Sequence, residues 1–297
     1  MKIAILLLCH KNSDQIMALV HALRHSDIDV YIHIDKKSSM VLKFAEKNNR
    51  VFILPSQLRV DVQWGSISQV DATLNLLEYA MHSEKYDYYW LCSGQDYPIK
   101  NVHRIIDFLG KEPQKNYINF FRSKNFESDM ENNYDKRNAI VYPKWMFSRN
   151  ICIRILKRIY VELTGGYTKT FQLFRRQNSL GMQFYFGSSW WCLNNEIVTW
   201  MMRYIQTNGE YYQFFTSCMN PDESFFHTLV KNSPFSSQCE DYLHYVDWSE
   251  GKSSPKILRI DDFEHICASS KFMARKFDSR VDESIILKLN DFLGYKL

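Results

Sequence analysis

The stretch WLCSGQDYPI, residues 90–99, is an apolar run that stops abruptly at Ser-Gly-Gln-Asp-Tyr-Pro. It reads as a buried strand followed by a loop at its carboxyl end, and one carboxylate, Asp96, sits in that loop. In open α/β sheets ligands bind at the carboxyl ends of strands. The stretch therefore predicts both a fold class and the edge on which a site should lie. Asp96 could hold a metal, hold a sugar, or only cap a turn.

Outward from this strand the N-terminal sequence alternates. Residues 3–9, 30–34, 51–54, 86–92 and 117–121 read as strands, and 14–23 and 102–109 as helices. Between them, WGSISQVDATLNLLEYAM places Ile67, Val70, Leu74, Leu77 and Met81 on one helix face. Ser66 and Gln69 have capping-box spacing, which predicts a helix starting near Ser66. Strand alternating with helix predicts a mostly parallel sheet with helices on its faces. The opening MKIAILLLCHKN reads as the first buried strand and not as a signal peptide. Its apolar run is short and no small-residue cleavage site follows. No run reaches the roughly eighteen apolar residues of a membrane span.

Residues 122–180 are rich in Arg, Lys and Asn and lack this rhythm. Within them the 149–160 segment reads as a helix with Ile151, Ile155 and Ile159 on one stripe and Arg154, Lys157 and Arg158 away from it. General frequency favours a stripe packed on its own domain; a basic amphipathic helix can also lie on an anionic membrane surface. Further on, QFYFGSSWWCL reads as a strand pair or a strand bent at Gly187, NPDESFFHTLV opens a helix, and a last helix covers about 282–293. There is no internal repeat, so a single domain is expected: 1–121 as a nucleotide-binding half, 122–180 as a basic insertion on the acceptor or membrane side, and 181–297 as the catalytic and acceptor half.

Composition sets outer bounds. A net charge of +4 is too mild to imply nucleic acid. Aromatics reach 15%, which suits stacking on bases or sugars but is first explained by a core of large side chains. The seven cysteines are scattered singly without a CxxC, so reduced thiols and an intracellular protein are expected. There is no GxGxxG and no P-loop. Asp-x-Asp occurs once, at Asp27 and Asp29, at the wrong end of a strand, and reads as a solvated loop.

Four sets of residues could carry chemistry. The strand ends offer His10, Lys11, His33, Asp35, Trp64 and Asp96: a carboxylate for ribose hydroxyls and an indole for stacking. Glu223 follows Asn220 and Pro221, so it is either the third helical residue of a capping box or a general base at a pocket mouth. Arg259 and Lys276 are either solvated cations or a phosphate clamp. Trp248 in VDWSEG is a sugar platform or a core Trp.

Together these segments resemble the Core-2/I-branching enzymes, glycosyltransferase family 14. The likeness is carried by HK after the first strand, IHIDKKS, VQWGSISQVDATLNLL, YYWLCSGQDYPIK, GSSWWCL, PDESFFHTLVKNSPF, VDWSEG and ARKFD, in that order. The resemblance implies a GT-A-like nucleotide-sugar transferase fold, a UDP-sugar donor, inversion, and no divalent metal or other cofactor. It implies Glu223 as base, Asp35 and Trp64 at the donor nucleotide, and Arg259 and Lys276 on the diphosphate. It also implies Trp248 and the basic KRNAIV stretch, with Arg137, at a glycan acceptor. Asp96 is then a donor-sugar acceptor or a loop cap. The donor sugars that fit are N-acetylglucosamine and xylose. The stem, anchor and paired cysteines of the animal enzymes have no counterpart here, which leads one to expect a bacterial, cytoplasmic enzyme of surface-polysaccharide synthesis. The basic helix suggests a lipid-linked acceptor and peripheral contact at the inner membrane face. A glycoside hydrolase and a non-catalytic carbohydrate-binding protein remain as rivals.

Overall fold

A computed structural model describes residues 1–44, 50–121, 137–148, 150–166, 169–170 and 173–295. Lys136, Arg149 and the first part of the expected insertion, 122–136, lie outside the described residues. The centre is a seven-stranded sheet in the order β3-β2-β1-β4-β7-β6-β8. Its strands are β1 (Ile3–Cys9), β2 (Ile28–Ile34), β3 (Val51–Ile53), β4 (Tyr88–Ser93), β6 (Asn116–Tyr117), β7 (Cys192–Asn194) and β8 (Cys239–Glu240). The β3-β2-β1-β4 half is parallel, and β7 runs antiparallel to β4. A second sheet of three short strands pairs β5 (Asp96–Pro98) and β9 (His244–Val246) on either side of β10 (Met273–Arg275).

Strand period decides which face each side chain meets. Ile3, Ile5 and Leu7 of β1 join Val30, Ile32 and Trp90 in one core. That core is covered by α1 (Ser13–Ala22), α3 (Val102–Lys111) and α9 (Ser284–Leu293). Ala4 and Leu6 join Tyr31, Tyr89 and Leu91 in the other. There α2 (Ser68–Ser83), α5 (Asn195–Thr207), α6 (Gly209–Phe215) and α7 (Phe225–Lys231) pack. Both faces are dry, so the parallel strands read as unbroken apolar runs. This is the α/β architecture the sequence predicts, mostly parallel in its N-terminal half and flanked by helices. The short α8 (Phe263–Ala268) and α4 (Ile151–Leu163), which lies outside both cores, complete the helices described here.

Local expectations fail where side chains find tertiary partners. Helix α2 begins at Ser68 with no side-chain cap, because Gln69 gives its amide to Asp222 at 2.8 Å instead of closing a capping box. The QFYFGSSWWCL stretch forms a strand only at Cys192–Asn194. Before it, Gly187 runs so close to the chain that a Cβ would lie 2.2 Å from the Asn119 carbonyl. Asp29 is not solvated. It is buried in β2, taking the Tyr86 hydroxyl at 2.6 Å and Arg50 at 3.0 Å. The isoleucine stripe of α4 does not pack on the domain: Ile151, Ile155 and Ile159 are exposed, and Val161 is the helix's buried residue. All seven cysteines are free. No helix among the described residues is long and apolar enough to cross a membrane.

Candidate active site

The carboxyl ends of β1, β2 and β4 finish level with one another. Asp35 N–H donates to the Cys9 carbonyl at 2.8 Å and Gly94 N–H to the Leu8 carbonyl at 3.0 Å. Across this edge lies the segment that follows β10. Phe277 N–H bonds the Gln95 carbonyl at 2.8 Å, and Asp278 receives Lys11 at 2.6 Å and Asn12 at 2.7 Å. Leu258 N–H donates to the Lys276 carbonyl at 2.9 Å, which brings Arg259 beside Lys276 although 17 positions separate them in the chain. Arg259 is exposed and its guanidinium forms no ion pair among the described residues.

The electrostatics of this edge are cationic. Burial lowers the Lys276 ammonium below its ordinary range, and Arg275 and Lys11 lower it further. His10 is lowered by burial and by Lys11, with Lys276 and Arg275 adding to it and Asp35 opposing. Lys11 and Arg275 thus act on both Lys276 and His10 at this edge, while each is itself paired with an acid, Lys11 with Asp278 and Arg275 with Asp96. A bound anion would offset the positive charge that acts on Lys276 and His10, and perturbed groups of this kind make the edge a functional-site candidate.

Asp35 is buried and takes Lys37 by backbone at 3.1 Å and by ammonium at 3.2 Å. Trp64 is 66% exposed in the loop before α2. In a parallel βαβ crossover the helix starts on the carboxyl edge of the sheet, so the start of α2 shares the edge with Asp35 and Lys276. Trp248 stands two residues past β9, whose Val246 pairs with Arg275, and it too is exposed.

Glu223 is brought to the same edge through α2. Asn220 sits at φ 48° with no side-chain cap, and Pro221–Glu223 is a single 3₁₀ turn. The capping-box reading of Glu223 therefore fails. Asn220 N–H donates to the Gly65 carbonyl at 2.8 Å, next to Trp64. Asp222 is pinned by Gln69 and by the Ser189 hydroxyl at 2.6 Å. Gly187 N–H holds the Glu223 carbonyl at 2.9 Å. With its backbone clasped on both sides, the Glu223 carboxylate is left to pair with Arg137. Burial, and next the Asp222 charge, push Glu223 up to about 7, while Arg137 pulls the other way.

Asp96 behaves differently from the rest. Its side chain is fully buried, with Arg275 at 2.7 Å, the Ser93 N–H at 2.8 Å and His244 at 3.3 Å. Burial alone would raise this carboxyl; Arg275 and then His244 more than reverse that and hold it below the ordinary carboxylate range. Cys92 completes a buried Cys-Asp-His group whose ligand-type atoms lie within 4.8 Å of one another. It fits a metal poorly. Burial, and next the Asp96 charge, keep the Cys92 thiol protonated, and the guanidinium of Arg275 already neutralises the carboxylate. Arg275 also stacks on Trp190 at 4.2 Å. Spacing could not reveal Arg275, His244 or the anchoring of Asp222; the one available signal was the doubled cation Arg275-Lys276 before an acid.

Comparison with known proteins settles the family. The profile of the Core-2/I-branching enzyme matches residues 3–270. The chain belongs to the Core-2/I-branching enzyme family. It is 28% identical over 323 residues to Xylosyltransferase 1 of Canis lupus familiaris, covering 98% of this chain and 30% of that protein. It is 26% identical over 322 residues to Xylosyltransferase 2 of Rattus norvegicus, covering 99% of this chain and 34% of that protein. The chain thus spans about a third of the length of these curated relatives. Among solved structures, mouse xyloside xylosyltransferase 1 in its apo form aligns over 92% of this chain and 97% of its own, at 10% identity and a TM-score of 0.37. Membership makes this chain one of a family of glycosyltransferases, here with the mixed α/β architecture described above.

Proposed function

We propose that this Core-2/I-branching family member transfers a sugar from a UDP-sugar to a hydroxyl of a glycan, with inversion and without a divalent metal. The observation that carries the reading is the bond from Leu258 N–H to the Lys276 carbonyl, which sets Arg259 and Lys276 side by side at the sheet edge that also carries Asp35, Trp64 and Glu223. Residues 1–121 would hold the nucleotide: Asp35 faces the ribose and Trp64 stacks on the base or sugar. Arg259 and Lys276 take the diphosphate. Residues 181–297 supply Glu223 and Trp248, the latter with Arg137 on the acceptor side. N-acetylglucosamine and xylose are the favoured donor sugars, and the names of the relatives support xylose. A lipid-linked glycan of bacterial surface-polysaccharide synthesis, met from the cytoplasm, is the proposed acceptor.

The chemistry balances on these groups. Glu223 takes the acceptor proton as the acceptor oxygen forms its bond to the anomeric carbon. The bond to the UDP oxygen breaks on the opposite face and UDP leaves with the electron pair. Its growing charge falls on Arg259 and Lys276, where each charge-assisted hydrogen bond supplies about 1.5–3 kcal/mol. Raising Glu223 above an ordinary carboxylate makes it a stronger base.

Two measurements test this. Nucleotide sugars screened by thermal shift and by turnover in excess EDTA should give one UDP-sugar that stabilises the chain and is consumed. Turnover lost in EDTA and restored by Mn²⁺ would overturn the metal-free reading, and glycan cleavage without any nucleotide sugar would favour a hydrolase. The second measurement is the pH profile. Because the carboxylate is the active form, kcat/KM should rise with pH through about 7 and level off above it. An acid limb near the ordinary Glu value would remove Glu223 from the role.

A further inference from the structure

The α4 helix packs by one side and shows a second apolar side to solvent. It is capped by Asn150, whose side chain accepts the Cys152 and Ile153 N–H groups. At about 100° per residue, Ile153, Lys157 and Val161 form the inner face. There Val161 is buried and the Lys157 ammonium reaches the Met146 carbonyl. Tyr160 at the border meets Trp145 edge-on. On the other side, across an arc of about 140° that also holds the exposed Glu162 and Cys152, lie Ile151, Ile155, Ile159, Leu163 and Leu156. They are exposed by 64%, 53%, 51%, 82% and 64%. Singly exposed apolar residues need no explanation, but five on one arc facing away from the protein do.

The charge around the arc identifies what it meets. Arg154 and Arg158 line one flank of the helix, and Lys144 and Lys169 are exposed nearby in the chain. The described residues from 137 to 180 carry eight Lys and Arg against the single acid Glu162. A second copy docking by this face would set two basic surfaces together. An anionic lipid surface offers the opposite charge to the flank and an acyl boundary to the arc. We infer that α4 lies in the plane of an anionic bilayer, with its isoleucine–leucine arc in the headgroup–acyl boundary, and docks the whole chain peripherally. The helix is far too short and too charged to cross. Docking would also orient the site. The segment before α4 reaches the Trp64–Gly65 loop, since a Cβ at Gly65 would lie 3.8 Å from the Phe147 ring. The inference stands without the transfer reading.

The test is sedimentation of the full chain with vesicles of phosphatidylcholine alone or mixed with phosphatidylglycerol. The protein should pellet with the anionic vesicles, poorly with neutral ones, and less as salt is raised. Ile155→Asp with Ile159→Asp should weaken that binding more than about tenfold. Arg154→Gln with Arg158→Gln should weaken it about 25-fold, at about fivefold for each surface cation. All four positions are exposed, so thermal melts should match the parent. Absence of binding to anionic vesicles, or parental binding by the isoleucine variant, would overturn the inference. So would a dimer in size-exclusion chromatography that the isoleucine variant dissolves, because a second copy would then occupy the arc.

Discussion

Glu223→Gln should lower transfer by about 10²–10⁴-fold, the usual contribution of a general base, and leave the donor's thermal shift unchanged. The substitution is nearly isosteric. It keeps the side chain beside Arg137 and leaves intact the Gly187 and Asn220 bonds that hold the turn, because these run through the backbone. What it removes is the proposed proton acceptor, which burial and Asp222 make unusually basic. Turnover at the parental rate would sink the assignment. Loss of donor binding alongside turnover would instead move Glu223 into the donor pocket. Asp222→Asn serves as a contrast. Its carboxylate takes Ser189 and Gln69, so it positions the turn and should shift the acid limb of the pH profile downward by removing the charge that raises Glu223.

Asp96→Ala should cost about 3–5 kcal/mol of unfolding free energy, the range for breaking a buried charge pair from one side. The variant strands the Arg275 guanidinium over Trp190 and leaves the Ser93 N–H without its acceptor. Urea unfolding measures it, and a loss under about 1 kcal/mol would contradict the network. The sign with pH is also set. A carboxyl held below its unfolded value contributes fully above the unfolded pKa, and that contribution fades as pH falls through the folded one. The parent should therefore lose this stability in acid, and Asp96→Ala should show no such loss. The experiment separates the two roles considered for this residue: a donor-sugar ligand would cut donor affinity with little change in unfolding.

The central sheet was legible because its strands are buried on both faces and its helices keep a 3.6-residue stripe. Residues 3–9 and the α2 stripe need no tertiary knowledge to be recognised. The small sheet was not legible. Its strands are three residues long and acquire meaning only by pairing Asp96 with Arg275. Both capping boxes failed for one reason: the polar residues that could cap a helix, Gln69 and Glu223, have stronger calls on them from distant side chains. The candidate site residues were legible as types at strand ends and turns. Their convergence was not, since it depends on the Leu258–Lys276 and Asn220–Gly65 bonds. The outward direction of the isoleucine stripe was not legible, because periodicity reports that a helix has an apolar face but not which way that face turns.

The pairing of β5 with β10 has a consequence for assembly. Asp96 and Arg275 are 179 positions apart. The parallel β3-β2-β1-β4 unit can gather from contacts nearer in sequence, whereas β10 must close a very long loop before its pairing is rewarded. Until it does, a carboxylate destined for full burial has no counter-charge, and the C-terminal cations have not reached the sheet edge. The proposed donor site would therefore be completed at a late step of folding, coupled to the same docking that neutralises the core.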